Sequence, residues 1–489
     1  TVGSNPTPST ILKKINIIMK NPNPLDFPNY IPITEEYGER FCAAPWTSLI
    51  VEATGEVKFC CMTTGDLRPG VMDGKPDSSV SINDIVNSSL GNSVRKKFLN
   101  GDMARRANGD NVLLAPKKIT TAQTYCDTCW KNEKKSGFPT ENRLSNNQWA
   151  DDVIEEVMKN TDENGIISKQ SPTWLDIAFS NKCNFSCIGC DVNNSSAIAK
   201  YQSAYELRDG NREYVIEPYT EADHLLSNVN ADNLIDYILE NKDTLEHIHF
   251  QGGEPLLMPE VYQTLDKLID HGLYKEGGIK LWFHTNGSIR TYKGVDIFKK
   301  YLSKWEDRFW VTMSHDGYGP RGEYIRYGYN DKKFLGTYNR LSEMGITIHV
   351  QHSLNIFNIL HQYECLEWYI ENMIPLLEEP NHFQITLNPW NELECYQYAN
   401  IKLIPELYEK AVIVIDKCIA RANELEMESY ANKLGRYKIE FETSNVRDIT
   451  DKDKENFILS VNEFDRVRGT NFHQTFPELK PYWDYCKDK

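Results

Sequence analysis

The chain has 489 residues, more than one ordinary hydrophobic core accommodates, so two or three domains are expected. Its 54 Lys and Arg against 70 Asp and Glu give a formal net charge of -16, which disfavours general adhesion to nucleic acid or anionic lipid. With 40% apolar and 25% charged residues and a mean hydropathy of -0.54, it reads as a soluble globular protein, and no run nears the ~18 apolar residues of a membrane span.

Residues 1–40 are rich in Pro, Ser and Asn, including Asn21-Pro22-Asn23-Pro24, and predict an irregular arm. Residues 41–140 hold short strand candidates, Ser48 to Val51 and Glu56 to Phe59, with cysteines at both ends, the pattern of a small metal-cluster module. Residues 141–170 read as a linker. From Pro172, apolar strand candidates alternate with helical patterns: Trp174 to Ser180, Leu245 to Gln251, Lys280 to Thr285, Phe309 to Ser314, Thr347 to Ser353 and Phe383 to Asn388. Between most of them lie helix candidates, Val261 to Asp270, Asp296 to Leu302, Lys333 to Met344 and His361 to Met373. This βα alternation predicts an α/β domain over 171–427, a partial (β/α)6 barrel of TIM-like type. The long gap between its first two strands suggests an insertion near the active-site mouth. Leu407, Ala411, Val414, Ile415, Cys418, Ile419 and Ala422 share one helical stripe that fits the last barrel helix. Residues 428–489 are an aromatic-rich extension.

The cysteines are unevenly spread. Eight of the 12 lie in tight groups before position 191, which points to thiolate ligands in a reducing compartment, and the protein is expected in the cytoplasm. Directly after the first strand the sequence reads Cys183-Asn184-Phe185-Ser186-Cys187-Ile188-Gly189-Cys190. Three thiols on a 4Fe-4S cluster leave one iron open to a substrate or cofactor. A zinc knuckle with a distant fourth ligand is the alternative for the same residues.

This C-x3-C-x2-C loop after a first strand resembles that of the radical S-adenosylmethionine (SAM) superfamily. The resemblance extends downstream. Gly252-Gly253-Glu254-Pro255 ends the second strand, Thr285-Asn286-Gly287 the third and Ser314-His315-Asp316-Gly317 the fourth, with Arg326 following. The resemblance implies a partial barrel in which Cys183, Cys187 and Cys190 hold a 4Fe-4S cluster. Gly252, Gly253, Glu254 and Pro255 would take the SAM amino group, and Thr285, Asn286, Ser314, Asp316 and Arg326 would contact its ribose or carboxylate. It also implies reductive cleavage of SAM to a 5′-deoxyadenosyl radical that abstracts hydrogen from a substrate, with a flavodoxin or ferredoxin as electron donor.

A second set, Cys42, Cys60, Cys126 and Cys129, with Gly55 between the first two, is spaced C-x12-G-x4-C, then C-x2-C. It resembles the twitch module, a shortened SPASM domain, here on the N-terminal side of the barrel. The resemblance implies an auxiliary 4Fe-4S cluster on those four thiols, with structural zinc as the alternative and Cys61 able to replace Cys60. Twitch and SPASM enzymes most often modify a peptide or protein. A dehydrogenase or isomerase of a small polar metabolite such as a sugar is the second reading, and a non-catalytic metal-stabilised binding protein the third. Of the remaining residues, Cys365 and Cys418 are expected in the core, Cys395 and Cys486 are possible hydrogen donors, and His284 and His315 are either acid/base groups or hydrogen-bonded packing. Trp390 and Tyr396 could line a substrate pocket.

Overall fold

The computed structural model describes residues 41–63, 66–67, 81–100, 125–136, 143, 146–147, 149–190, 193–200, 205–208, 211–214, 229–377, 383–389, 401–443 and 449–488. The arm expected over 1–40 lies outside these residues, as do Trp390, Cys395 and Tyr396. The chain divides into two compact units, one of residues up to 51 with 55–176 and 230–247, the other of 52–54, 177–229 and 248–489.

In the first unit, strands β1 (Ser48–Val51) and β2 (Val57–Lys58) pair antiparallel, Ile50 opposite Lys58, and β1 is flanked on its other side by β3 (Trp174–Ile177). The turn before β2 uses Gly55 at φ 82°, a backbone conformation that costs glycine little. Helix Ser89–Leu99 starts at Ser88, whose hydroxyl accepts the Gly91 N–H, and buries Val94, Arg95 and Phe98. The buried Arg95 guanidinium donates to the carbonyls of Pro45, Val86 and Gly165 and to the side chains of Asn87 and Asn92, so one cation ties separate segments of the unit together. Helix Ala231–Glu240, capped by Asn230, presents Leu234, Ile235 and Ile238 inward at helical spacing. Within 141–170, Arg143, Asn146 and Asn147 are buried and Ile154–Lys159 is helical, and Arg143 and Asn147 bond the backbone of Phe41 and Ala43.

The second unit is α/β with a mostly parallel sheet. Ahead of the sheet lie β4 (Ser186–Cys187) and a hairpin of β5 (Tyr205–Arg208) and β6 (Asn211–Tyr214), the latter inside the long insertion. The sheet strands are β7 (His247–Phe250), β8 (Lys280–Thr285), β11 (Phe309–Ser314), β13 (Thr347–Leu354) and β14 (Gln384–Pro389), side by side in that order. The small pieces β9 (Thr291–Tyr292), β10 (Val295–Asp296) and β12 (Arg326–Tyr327) lie between them in sequence. β8, β11, β13 and β14 are parallel, with Val311 beside Phe283 and Val350 beside Met313. Helices Pro259–Asp270, Asp331–Glu343, Gln362–Asn372 and Pro405–Glu424 follow successive strands, matching the expected alternation to within a few residues. The helix expected over Asp296 to Leu302 is shorter, Ile297–Lys300, followed by a 3-10 turn. One face of the sheet, with Leu281, Phe283, Val311, Met313 and Val350, is buried, whereas Trp282, His284, Trp310, His349 and Gln351 on the other are half-buried.

The aromatic extension is part of this unit. Helices Glu428–Thr443, Asp451–Arg468 and Lys480–Lys487 share one apolar core with Ile188, Tyr324, Phe357 and Leu407, into which Phe457, Phe464, Phe476 and Trp483 insert. Asp451–Arg468 is bounded by a capping box at Thr450 and Asp453 and by Gly469 at φ 66°. Among the described residues, no helix is long and apolar enough to cross a membrane.

Candidate active site

The loop after β3 is folded by its own polar groups. The Ser195 hydroxyl donates to the Phe185 carbonyl at 2.6 Å, the Ser196 N–H to the Asn181 carbonyl at 2.8 Å, and the Cys183 N–H to the Ser196 hydroxyl at 3.4 Å. β4 then pairs antiparallel with β12, placing Cys187 opposite Arg326, and the Ile188 N–H donates to the Ile325 carbonyl at 2.8 Å. Cys183 and Cys187 are buried and Cys190 is partly exposed. Burial, then the neighbouring Cys187, pushes the Cys183 thiol up to about 12. A hydrogen bond from Cys190 lowers Cys187 against the opposing effect of burial, with the Arg326 guanidinium 3.8 Å from its Sγ adding to the lowering, and the same bond raises Cys190.

The Gly-Gly-Glu-Pro turn is docked on this loop. The Gln251 N–H donates to the Ile177 carbonyl, Gly253 N–H to Ser180 and Glu254 N–H to Lys182, at 2.8, 3.1 and 2.8 Å. A Cβ on Gly253 would lie 2.3 Å from the Lys182 oxygen, and one on Gly252, at φ 104°, 2.6 Å from the Ser180 oxygen. Both glycines are therefore needed for backbone to meet backbone, the turn against the cysteine loop. Pro255 opens the 3-10 turn that follows and is buried.

Glu254 is fully buried. Its carboxylate accepts the Thr285 hydroxyl at 2.9 and 3.0 Å, the Asn286 N–H at 2.8 Å and the Leu256 N–H at 3.2 Å. Burial outweighs these donors and lifts its pKa to about 7. Among the described residues no cationic side chain pairs with it. The Asn286 amide bridges to the loop, donating to Asn184 Oδ1 at 2.9 Å and lying 4.0 Å from Cys183 Sγ.

Asp316 and Arg326 face each other instead of open space. Asp316 is 2% exposed, accepts the Ser353 N–H at 2.6 Å and lies 2.8 Å from Arg326 Nε, a close ion pair whose N–H is not directed at the oxygen. The pair aims the guanidinium at Cys187. Ser314 ends β11 half-exposed. His315 is fully buried, 2.8 Å from the Tyr369 hydroxyl and 3.1 Å from that of Tyr329, and burial holds its pKa far below the usual imidazole value. It is a packing residue. His315, His352 and Cys365 offer three ligand-type atoms within 4.8 Å, but the Tyr369 hydroxyl sits among them, 3.0 Å from His352 Nδ1. Cys418 and Cys486 are buried as well, so Cys486 is core, on the inner side of its helix.

Sequence reading missed Arg468. From the C-terminal extension its guanidinium donates to the Ser186 carbonyl at 2.6 Å and the Tyr324 carbonyl at 3.2 Å, holding the cysteine loop to β12 from 282 residues away. No local pattern marks such a residue; a buried Arg in an aromatic tail was the one available hint.

In the first unit, Cys42, Cys60, Cys126 and Cys129 line one cavity together with Phe59, Phe98, Tyr125 and Trp130. Burial pushes Cys42 up to about 12 and raises Cys126, so both are poor acids until a ligand draws out the thiolate. Arg143 adds a buried cation here, bidentate to Glu133 at 2.8 and 3.1 Å, and Glu133 lies 3.8 Å from Cys129 Sγ. Cys61 is exposed.

Comparison with known proteins gives these parts a family. The model of the Radical SAM superfamily matches residues 177–367. The radical SAM cyclopropyl synthase TigE of Paramaledivibacter caminithermalis is 29% identical over 130 residues, 26% of this chain and 25% of that protein, so the match spans about a quarter of that relative. Among solved structures, anSMEcpe with bound AdoMet aligns at TM-score 0.31 with 18% identity, over 49% of this chain and 58% of that one. Streptococcus suis SuiB bound to the precursor peptide SuiA aligns at 0.33 with 14% identity, over 68% and 60%. Residues 177–367, which carry the cysteine loop, the Glu254 turn and the Asp316–Arg326 pair, are a domain of the radical SAM superfamily.

Proposed function

We propose that the protein is a radical SAM enzyme in which Cys183, Cys187 and Cys190 hold a 4Fe-4S cluster and the Glu254 turn receives the SAM amino group. The observation that carries this is the buried Glu254 carboxylate, docked on the cysteine loop and lacking a cationic partner among the described residues. A buried carboxylate raised to about 7 gains most from an ammonium ligand, which supplies the missing counter-charge. When bound, the cluster and SAM together supply one-electron chemistry able to remove a hydrogen atom from an unactivated carbon. The chain's own residues do the positioning. Arg326, held by Asp316, favours the thiolate of Cys187; Thr285 and Asn286 fix the carboxylate; Phe185 and Ile188 keep the loop dry.

Cys42, Cys60, Cys126 and Cys129 hold an auxiliary 4Fe-4S cluster in this reading. The four thiols line one cavity, and structural zinc on the same four is the alternative. The twitch-like pattern of these cysteines supports a peptide or protein as substrate, with a flavodoxin or ferredoxin as donor. The test is anaerobic turnover with SAM and dithionite. Formation of 5′-deoxyadenosine, and a peptide gaining or losing hydrogens by mass spectrometry, are the expected results; absence of the nucleoside from cluster-loaded protein would leave a metal-stabilised binding protein.

A further inference from the structure

The half-exposed face of the parallel sheet has a definite chemistry. Trp282, Trp310 and His349 stand there in adjacent strands, with indole centroids 6.2 Å apart and tilted by 43°. A chain of hydrogen bonds runs beside them: His249 Nε2 is 2.6 Å from His284 Nδ1, and His284 Nε2 is 2.6 Å from Gln351 Oε1. An amide oxygen only accepts, so His284 carries its hydrogen on Nε2 and accepts from His249 through Nδ1. Burial, with His249 beside it, holds the His284 pKa down at about 3, so the ring is neutral, and burial lowers His349 too.

One donor is left on the half-buried face. Gln351 spends its oxygen on His284, and among the described residues nothing accepts from its amide nitrogen. The buried Thr312 hydroxyl accepts the Trp282 indole N–H at 2.8 Å and fixes that ring. From Trp282 onward along β8, and at the paired positions of β11 and β13, no side chain on this face is charged once the imidazoles are neutral. The same strands run directly to Thr285 and Ser314 at the cysteine-loop end.

We infer that this face of β8, β11 and β13 seats the substrate and selects a planar, non-cationic group bearing a hydrogen-bond acceptor, such as an aromatic side chain of a peptide. This rests on the radical SAM reading for its occupant. Indole and imidazole rings offer stacking area to a flat group, Gln351 offers a donor, and a cation would lose hydration beside the Lys433 ammonium, which lies near enough to His349 to lower its pKa.

The test uses the full chain labelled with 5-fluorotryptophan, with Trp282→Phe and Trp310→Phe assigning two of the ten tryptophan 19F resonances. N-acetyltyrosine amide should shift both, while N-acetyl-lysine and N-acetylleucine amides should not. Gln351→Leu, or Gln351→Asn if the first variant misfolds, should weaken that binding at least fivefold. Equal or tighter binding of a cationic or aliphatic amide, or silence of both resonances, overturns the inference. Wild-type 5′-deoxyadenosine formation, measured separately, reports on the parent reading; aromatic binding without it overturns the assignment of the face to a substrate.

Discussion

Replacing Glu254 by Gln removes one buried charge and little volume. In the wild type, four contacts from three donor groups converge on the carboxylate, and its ordinary pKa is lifted to about 7 by burial. A hydrogen bond to a charged group is worth ~1.5–3 kcal/mol, so SAM should bind roughly 10–100-fold more weakly to the variant. The amide also turns one acceptor into a donor facing the Asn286 N–H or the Thr285 hydroxyl. The pH dependence has a fixed sign. Only the carboxylate attracts an ammonium, so wild-type affinity should rise by up to about tenfold per pH unit below 7, where the variant stays flat, and should fall again above ~8 as the ligand's own α-amino group loses its proton. Stability without SAM should move the other way. A folded-state pKa above the ordinary carboxyl value favours the fold at low pH, and that contribution is lost as pH rises to about 7. Anaerobic calorimetric titration of SAM at pH 6, 7 and 8 measures the first effect, and urea midpoints measure the second. Binding by the Glu254→Gln variant within twofold of wild type, or wild-type affinity flat across that range, would refute the charge assignment.

Gly253→Ala should destabilise the second unit by about 1–3 kcal/mol in urea unfolding, because its Cβ would lie 2.3 Å from the Lys182 oxygen; an unchanged midpoint would contradict the backbone packing. Arg468→Met strips donors from the Ser186 and Tyr324 carbonyls and should cost about 1–3 kcal/mol while lowering the iron retained by the cysteine loop, read by iron analysis after reconstitution. Cys126→Ala should cut iron from about eight to about four per chain, whereas Cys61→Ala should leave it unchanged. Iodoacetamide on reconstituted protein should modify the exposed Cys61 before Cys365, Cys418 and Cys486, which are buried; rapid labelling of Cys486 would contradict its place in the core.

The strands and the cysteine groups proposed as ligands were legible because their signals are local. Three thiols in eight residues, or an apolar strand ending in Gly-Gly-Glu-Pro, need no distant partner to be seen. What escaped was set by contacts distant in sequence. The Cβ that Gly252 and Gly253 lack would strike the backbone of the cysteine loop, a contact no local pattern shows. The partners of Asp316, the Ser353 N–H and Arg326, are likewise set by the fold. Arg143 fell in an apparent linker, and Arg468 in a tail whose helices only acquire a core through Tyr324 and Phe357. The helix expected over Asp296 to Leu302 broke up because Tyr301 and Leu302 turn inward into a 3-10 turn.

The central claim is that Cys183, Cys187 and Cys190 hold a cluster that reduces SAM. Its most direct test is 5′-deoxyadenosine formation by anaerobically reconstituted protein given SAM and dithionite, beside a Cys183→Ala, Cys187→Ala, Cys190→Ala variant whose auxiliary cluster is shown by iron content to be retained. The nucleoside should form with the wild type and vanish in the variant. Its absence from fully loaded wild type, or its persistence in the variant, would contradict the claim.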